Sequence, residues 1–240
     1  MFDICFFHVG KRDPAPEILC ESLKLAYRQR SERPRLIHLK DSISPPVDGA
    51  DLHLSRGYAL SQQICYERFV SYLHALKSIG GPIVFLDTDM MFIRPLEESC
   101  PFFDKPLLCR REFGRKKLVR PELETSSGVV KFPSHQGKTF DELFPVLACF
   151  LGLAGPLFME VLNKKYELLS EDYKRWYGDQ VVLRDLSLEI PCEFVGESTY
   201  ACLPEMVNEV GVSNVCLVHY KGLRKTAMLS DWSDFKSRHF

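Results

Sequence analysis

The chain has 240 residues, of which 45% are hydrophobic and 26% charged, and its formal net charge is −1. That composition excludes a disordered chain, and the near-zero charge supplies no general attraction for nucleic acid or anionic lipid. Its nine cysteines are odd in number, scattered, and never arranged as C-x-x-C, which argues against a disulfide framework or a structural zinc site and for buried thiols in a reducing cytosol.

A chain of this length predicts one domain with a small appendage. Phe2 to Val9, FDICFFHV, predicts a first strand; no basic leader precedes it, and its apolar part is too short for a signal peptide. Asp13 followed by Pro14 predicts a capped helix that continues through Ala15 to Arg30. Pro34 to Leu39, PRLIHL, predicts a second strand, and the polar, Pro-rich stretch from Lys40 to Gly57 a loop. A long helix is predicted from about Tyr58 to Lys77, with Cys65, Phe69, Tyr72 and Leu76 on one stripe facing the sheet. Arg68 lies on the flank of that stripe. There its guanidinium either snorkels to the surface or reaches over the core edge to meet carboxylates or a phosphate.

Gly80-Gly81-Pro82 introduces the apolar run Ile83 to Leu86, a buried parallel strand that ends in Asp87-Thr88-Asp89. Lys105 to Arg110 (KPLLCR) and Ser126 to Phe132 (SSGVVKF) predict further strands. Leu143 to Met159 runs seventeen residues without a charge; it predicts a buried helical hairpin broken at Gly152 and at Gly155-Pro156, with a surface resting on a membrane as the alternative. Asn163 to Ser170 and Asp179 to Leu186 predict helices, and Cys192 to Gly196 and Val215 to Tyr220 late strands. Strands and helices alternate through the first half, so the fold class is α/β: a sandwich with a mostly parallel central sheet, whose ligands collect beyond the carboxyl ends of its strands.

An apolar strand that ends in two carboxylates needs either water or a cation to meet them. In an extended chain Asp87 and Asp89 point to the same side, with Thr88 pointing away, a spacing that suits one shared Mg²⁺ or Mn²⁺. An ion held in this way, with open positions, grips a diphosphate and neutralises its charge as it leaves. Near the other end, His219 follows an apolar strand and is itself followed by Lys221, Gly222 and Lys225. The imidazole is a suitable third ligand, the glycine lets backbone amides approach an anion, and the lysines add positive charge.

Arg68, FLDTD, SSGVV (Ser126 to Val130), GDQ (Gly178 to Gln180) and HYKGLRK (His219 to Lys225) stand in an order that resembles the glycosyltransferases of GT-A fold, and among them the family 8 type. The resemblance implies a single GT-A domain, with a nucleotide-binding half over about residues 1–95, an acceptor half over about 96–225 and a short C-terminal tail. It implies an enzyme of the hexosyltransferase type that uses a nucleotide-sugar donor, a UDP-sugar, and a glycan acceptor, with retention. Asp87, Asp89 and His219 would hold Mn²⁺ or Mg²⁺, and Arg68, Lys221, Gly222 and Lys225 would contact or orient phosphates. Phe7, His8 and Val9 would hold the base, Thr88 would lie within the donor site, and Ser127 and Gly128 would lie under the sugar. Asp179 and Gln180 would flank the anomeric carbon, with Asp179 a base if it reaches the acceptor hydroxyl.

The chain departs from the family pattern at Ser126, where Asn is usual, and at Thr226-Ala227-Met228, where many members have Pro-Trp. The segment Cys109 to Lys117 carries five basic residues, which suit an acidic donor or acceptor as well as a solvated loop. A nucleotidyl or phosphoryl transferase with the same carboxylate-metal arrangement and a non-catalytic nucleotide-sugar-binding module stand as alternatives. A cytoplasmic protein, with possible peripheral contact to the inner face of a membrane, completes the expectation.

Overall fold

The computed structural model describes residues 2–57, 64–96, 104–125 and 128–239. The chain opens with strand β1 (Asp3–Phe7), helix α1 (Pro14–Ala26), strand β2 (Leu36–Asp41) and strand β3 (Leu52–Arg56). The Asp13 carboxylate accepts the amide of Ala15 at 2.8 Å, satisfying one of the donors that a helix start leaves unpaired. Helix α2 (Ile64–Ile79), strand β4 (Ile83–Leu86) and the short β5 (Met90–Phe92) follow. Next come β6 (Leu107–Arg110), the antiparallel pair β7 (Glu122–Thr125) and β8 (Gly128–Lys131), the single turn α3 (Phe140–Leu143) and β9 (Val146–Leu153). The remainder comprises α4 (Leu157–Glu167), α5 (Glu171–Arg175), α6 (Gly178–Glu189), β10 (Glu193–Gly196), α7 (Glu197–Tyr200), α8 (Val207–Val210), β11 (Leu217–His219) and α9 (Lys225–His239).

Seven strands form one sheet in the order β3-β2-β1-β4-β9-β6-β10. Only β9 runs against its neighbours, antiparallel to both β4 and β6. The carboxyl ends of β1, β2, β4, β6 and β10 therefore share one edge. Side chains alternate between two cores: Ile4, Phe6, Val84 and Leu86 pack with Leu19 and Leu23 of α1, and Cys5, Ile83 and Phe85 with Phe69 and Tyr72 of α2. Both faces are covered by helices, so the central strands lose the polar alternation of a half-exposed sheet. The stripe on α2 faces inward as its spacing requires, and Tyr72 stacks on Phe85 with ring centroids 4.1 Å apart.

Two sequence expectations are corrected. Residues 146–153 form strand β9 inside the sheet, not half of a helical hairpin, and Gly152 pairs with both Val84 and Leu107 instead of breaking a helix. A fully buried apolar run has no periodicity to separate strand from helix, and eight residues is a strand's length. Leu52–Arg56, within the expected loop, is the edge strand β3; its polar, largely exposed residues hid it. The short C-terminal tail is the fifteen-residue helix α9, anchored on α1 where the Trp232 indole donates to Glu21 at 3.1 Å.

Candidate metal centre

After Leu86 the chain leaves the sheet and turns through Asp87-Thr88-Asp89 into β5. The acids thus converge through a turn, where the sequence suggested an extended run, and Thr88 lies half-buried between them. Strand β5 pairs antiparallel with β11, and the register sets His219 opposite Met90, next to Asp89. The Tyr220 amide locks that register by donating to the Asp89 carbonyl at 2.8 Å. Nε2 of His219 lies 3.3 Å from Asp89 Oδ1 and 3.8 Å from Asp87 Oδ2. One ligand atom from each of Asp87, Asp89 and His219 falls within 4.8 Å of the others. Adjacent corners of an octahedron built on bonds of about 2.1 Å are separated by about 3 Å, so two carboxylate oxygens and an imidazole nitrogen at these separations fit one Mn²⁺ or Mg²⁺.

Two side chains counter the acids. Arg68 donates from Nη1 to Asp87 Oδ1 at 2.5 Å and from Nη2 to Asp179 Oδ2 at 2.7 Å, so the flank position on α2 is a bridge between two carboxylates. Lys225 places Nζ 2.9 Å from Asp89 Oδ2. Burial pushes the Asp87 carboxyl up despite the pull of Arg68. At Asp89 burial acts the same way, but His219 and Lys225 overcome it and hold the carboxyl well below the usual range. His219 rises to about 10: burial works to strip its proton, and the Cys149 sulfur and the Asp89 carboxylate outweigh it.

Asp179 enters in the first turn of α6, and its Oδ1 accepts the Gln180 amide at 2.8 Å. Tyr177, which precedes that helix, holds a left-handed φ of 64°, the only such non-glycine among the described residues. The Gln180 side chain is turned to Arg111, whose Nη2 donates to it at 2.9 Å. Phe7, His8 and Val9 stand at the carboxyl end of β1, on the edge that carries Asp87. The His8 carbonyl accepts Nε2 of the buried His38 at 2.9 Å. Lys221 reaches the fully buried Glu197 at 2.8 Å instead of standing clear for a phosphate. Gly222 takes a φ of 66° at the turn that delivers Lys225. Gly128 begins β8; Ser127 lies outside the described residues, as does Ser126.

Two participants escaped the sequence reading. Glu197 accepts the amides of Glu112 and Phe113, both at 2.8 Å, besides holding Lys221; Glu112 in turn accepts the Ser198 amide at 2.7 Å. Its only signal was an acid just past a strand end, the same one that marked Asp87. Cys149 accepts the Asp87 amide through its carbonyl at 3.0 Å, and nothing in its apolar surroundings set it apart. The basic segment leaves β6 at the same edge: Arg111 is buried and Arg115 is paired with Asp141. Lys116 and Lys117 are exposed, bordering a cavity of about 620 Å³ with Glu112, Gly114 and Arg115. Compared with protein-family models and with curated proteins, the sequence has no match.

Proposed function

We propose that the protein is a cation-dependent glycosyltransferase that moves a sugar from a nucleoside diphosphate donor, a UDP-sugar, to a hydroxyl of a glycan, with retention. The observation that carries this reading is the meeting of Asp87, Asp89 and His219 within 4.8 Å at the ligand edge of a mostly parallel sheet. Support comes from the order of motifs in the sequence. When bound there, Mn²⁺ or Mg²⁺ supplies charge that neutralises the departing diphosphate.

The remaining chemistry belongs to side chains. Arg68 holds Asp87 in place and orients Asp179. Both oxygens of Asp179 already accept hydrogen bonds, which suits a carboxylate that stabilises positive charge at the anomeric carbon better than one that takes a proton. Lys225, freed from Asp89, reaches the phosphates, while Lys221 stays with Glu197 and braces the loop after β6. The ends of β1 and β2 border the base. Lys116 and Lys117 favour an acidic group on the donor or the acceptor. Among the described residues the cysteines are all free thiols, which supports a reducing, cytoplasmic setting. No helix among them is long and apolar enough to cross a membrane.

Calorimetry with UDP and MnCl₂ tests the reading. Binding is expected for the native protein and none for Asp89→Ala, and with a UDP-sugar supplied as donor the released product is expected to be UDP and not pyrophosphate. Failure of the native protein to bind a nucleotide with any divalent ion would remove the proposal.

A further inference from the structure

Strand β9 does not run evenly past β6. Leu108 lies opposite Leu151, but Cys109 lies opposite Leu147, so Ala148, Cys149 and Phe150 bulge against a single peptide of the neighbouring strand. On the other side the pairing with β4 stays regular to Leu86 opposite Phe150, and it continues one step further as the Asp87 amide donates to Cys149. A bulge of this kind re-aims the side chain it carries. Here the Cys149 thiol, 3% exposed, adjoins both the His219 ring and the Cys109 thiol.

His219 has two ring nitrogens with different surroundings. Nε2 faces the carboxylates, whereas Nδ1 is buried and has no aligned hydrogen-bond partner. An imidazole that gives its Nε2 lone pair to a cation carries its proton on Nδ1, and that N–H then needs an acceptor. The Cys149 sulfur, which adjoins the ring, is the acceptor the proposal assigns to it. Its S–H is available to Cys109 and its lone pairs to the imidazole.

We propose that Cys149 is the positioning residue of the metal centre: its sulfur accepts Nδ1–H of His219 and sets the ring's tautomer and direction, while its carbonyl fixes Asp87. The inference rests on reading Asp87, Asp89 and His219 as metal ligands. One residue in a strand bulge thereby orients two ligands from segments far apart in the chain, a role that partners behind a ligand commonly fill.

Cys149→Ser and Cys149→Ala test it, since the two replacements differ by a single oxygen. Free Mn²⁺ is followed by its electron paramagnetic resonance signal, and folding by the thermal midpoint. Cys149→Ala is expected to weaken Mn²⁺ binding about tenfold, and Cys149→Ser to recover most of that loss because its hydroxyl accepts Nδ1–H. If packing alone mattered, serine would do no better than alanine; equal affinities for the two variants overturn the inference. A native protein that leaves the Mn²⁺ signal unchanged overturns the metal centre itself, and the role of Cys149 with it.

Discussion

The ring of His38, fully buried and stacked on Phe6 with centroids 5.1 Å apart, has no room for a second proton. Its Nε2–H is donated to the His8 carbonyl at 2.9 Å and its Nδ1 accepts the Val47 amide at 3.2 Å; the His53 ring also approaches, with Nδ1 at 3.3 Å from that same nitrogen. Burial chiefly, working against the hydrogen bond to the His8 carbonyl, lowers the pKa of His38 from 6.5 to about 4. The unfolded chain therefore takes up this proton first as the pH falls. The stabilisation is complete above pH 6.5 and is lost on descending toward 4, to an extent of about 3 kcal/mol at roughly 1.4 kcal/mol per unit. Urea unfolding at several pH values is expected to show this decline, and His38→Gln, which keeps a donor and an acceptor, to flatten it relative to the native protein. At this scale Asp87, Asp89 and His219 were legible because charge at the end of an apolar run is costly. Glu197 and Cys149 were not, because their importance lies in which amides and rings they meet across the fold.

Helix α6 must begin at one place for Asp179 to meet Arg68, and its first residue shows how tightly that place is set. A Cβ on Gly178 would lie 2.4 Å from the Tyr173 carbonyl oxygen and 3.0 Å from side-chain atoms of Leu169 and Tyr166. Gly178→Ala is expected to force the helix start outward, costing about 1–3 kcal/mol in urea unfolding. The proposed sugar transfer, read as UDP release, should fall about a hundredfold as Asp179 moves. Gly155→Ala is the control: its Cβ would meet nothing within 4 Å, and both measurements should stay at the native level. Elements with a strong signature, such as the capped α1 and the striped α2, were readable in the sequence. Strand β9 was not, since uniform burial erases the pattern, and neither was β3, whose exposed edge position left it polar. Length separated strand from helix for 146–153 only after its partners β4 and β6 were known.

Across the whole molecule, the α/β class and the ligand edge followed from the alternation of strands and helices, but the closure of the site did not. It depends on β11 returning to β5 and on α9 bringing Lys225 to Asp89, contacts between segments that no local pattern connects. Of the apolar stretch 143–159, residues 146–153 are spent inside the sheet as β9. The assembled centre also has an electrical consequence. Asp87, Asp89 and Asp179 face Arg68, Lys225 and His219, so each acid already has a partner before anything arrives. A divalent ion entering alone must displace the Lys225 ammonium from Asp89. On the proposed function, a nucleoside diphosphate would give that ammonium a new anion to hold, so ion and nucleotide would load as a couple, each raising the other's affinity by the same factor. Mn²⁺ titrations with and without saturating UDP should differ by about tenfold or more; identical curves would mean that Lys225 never lets go of Asp89.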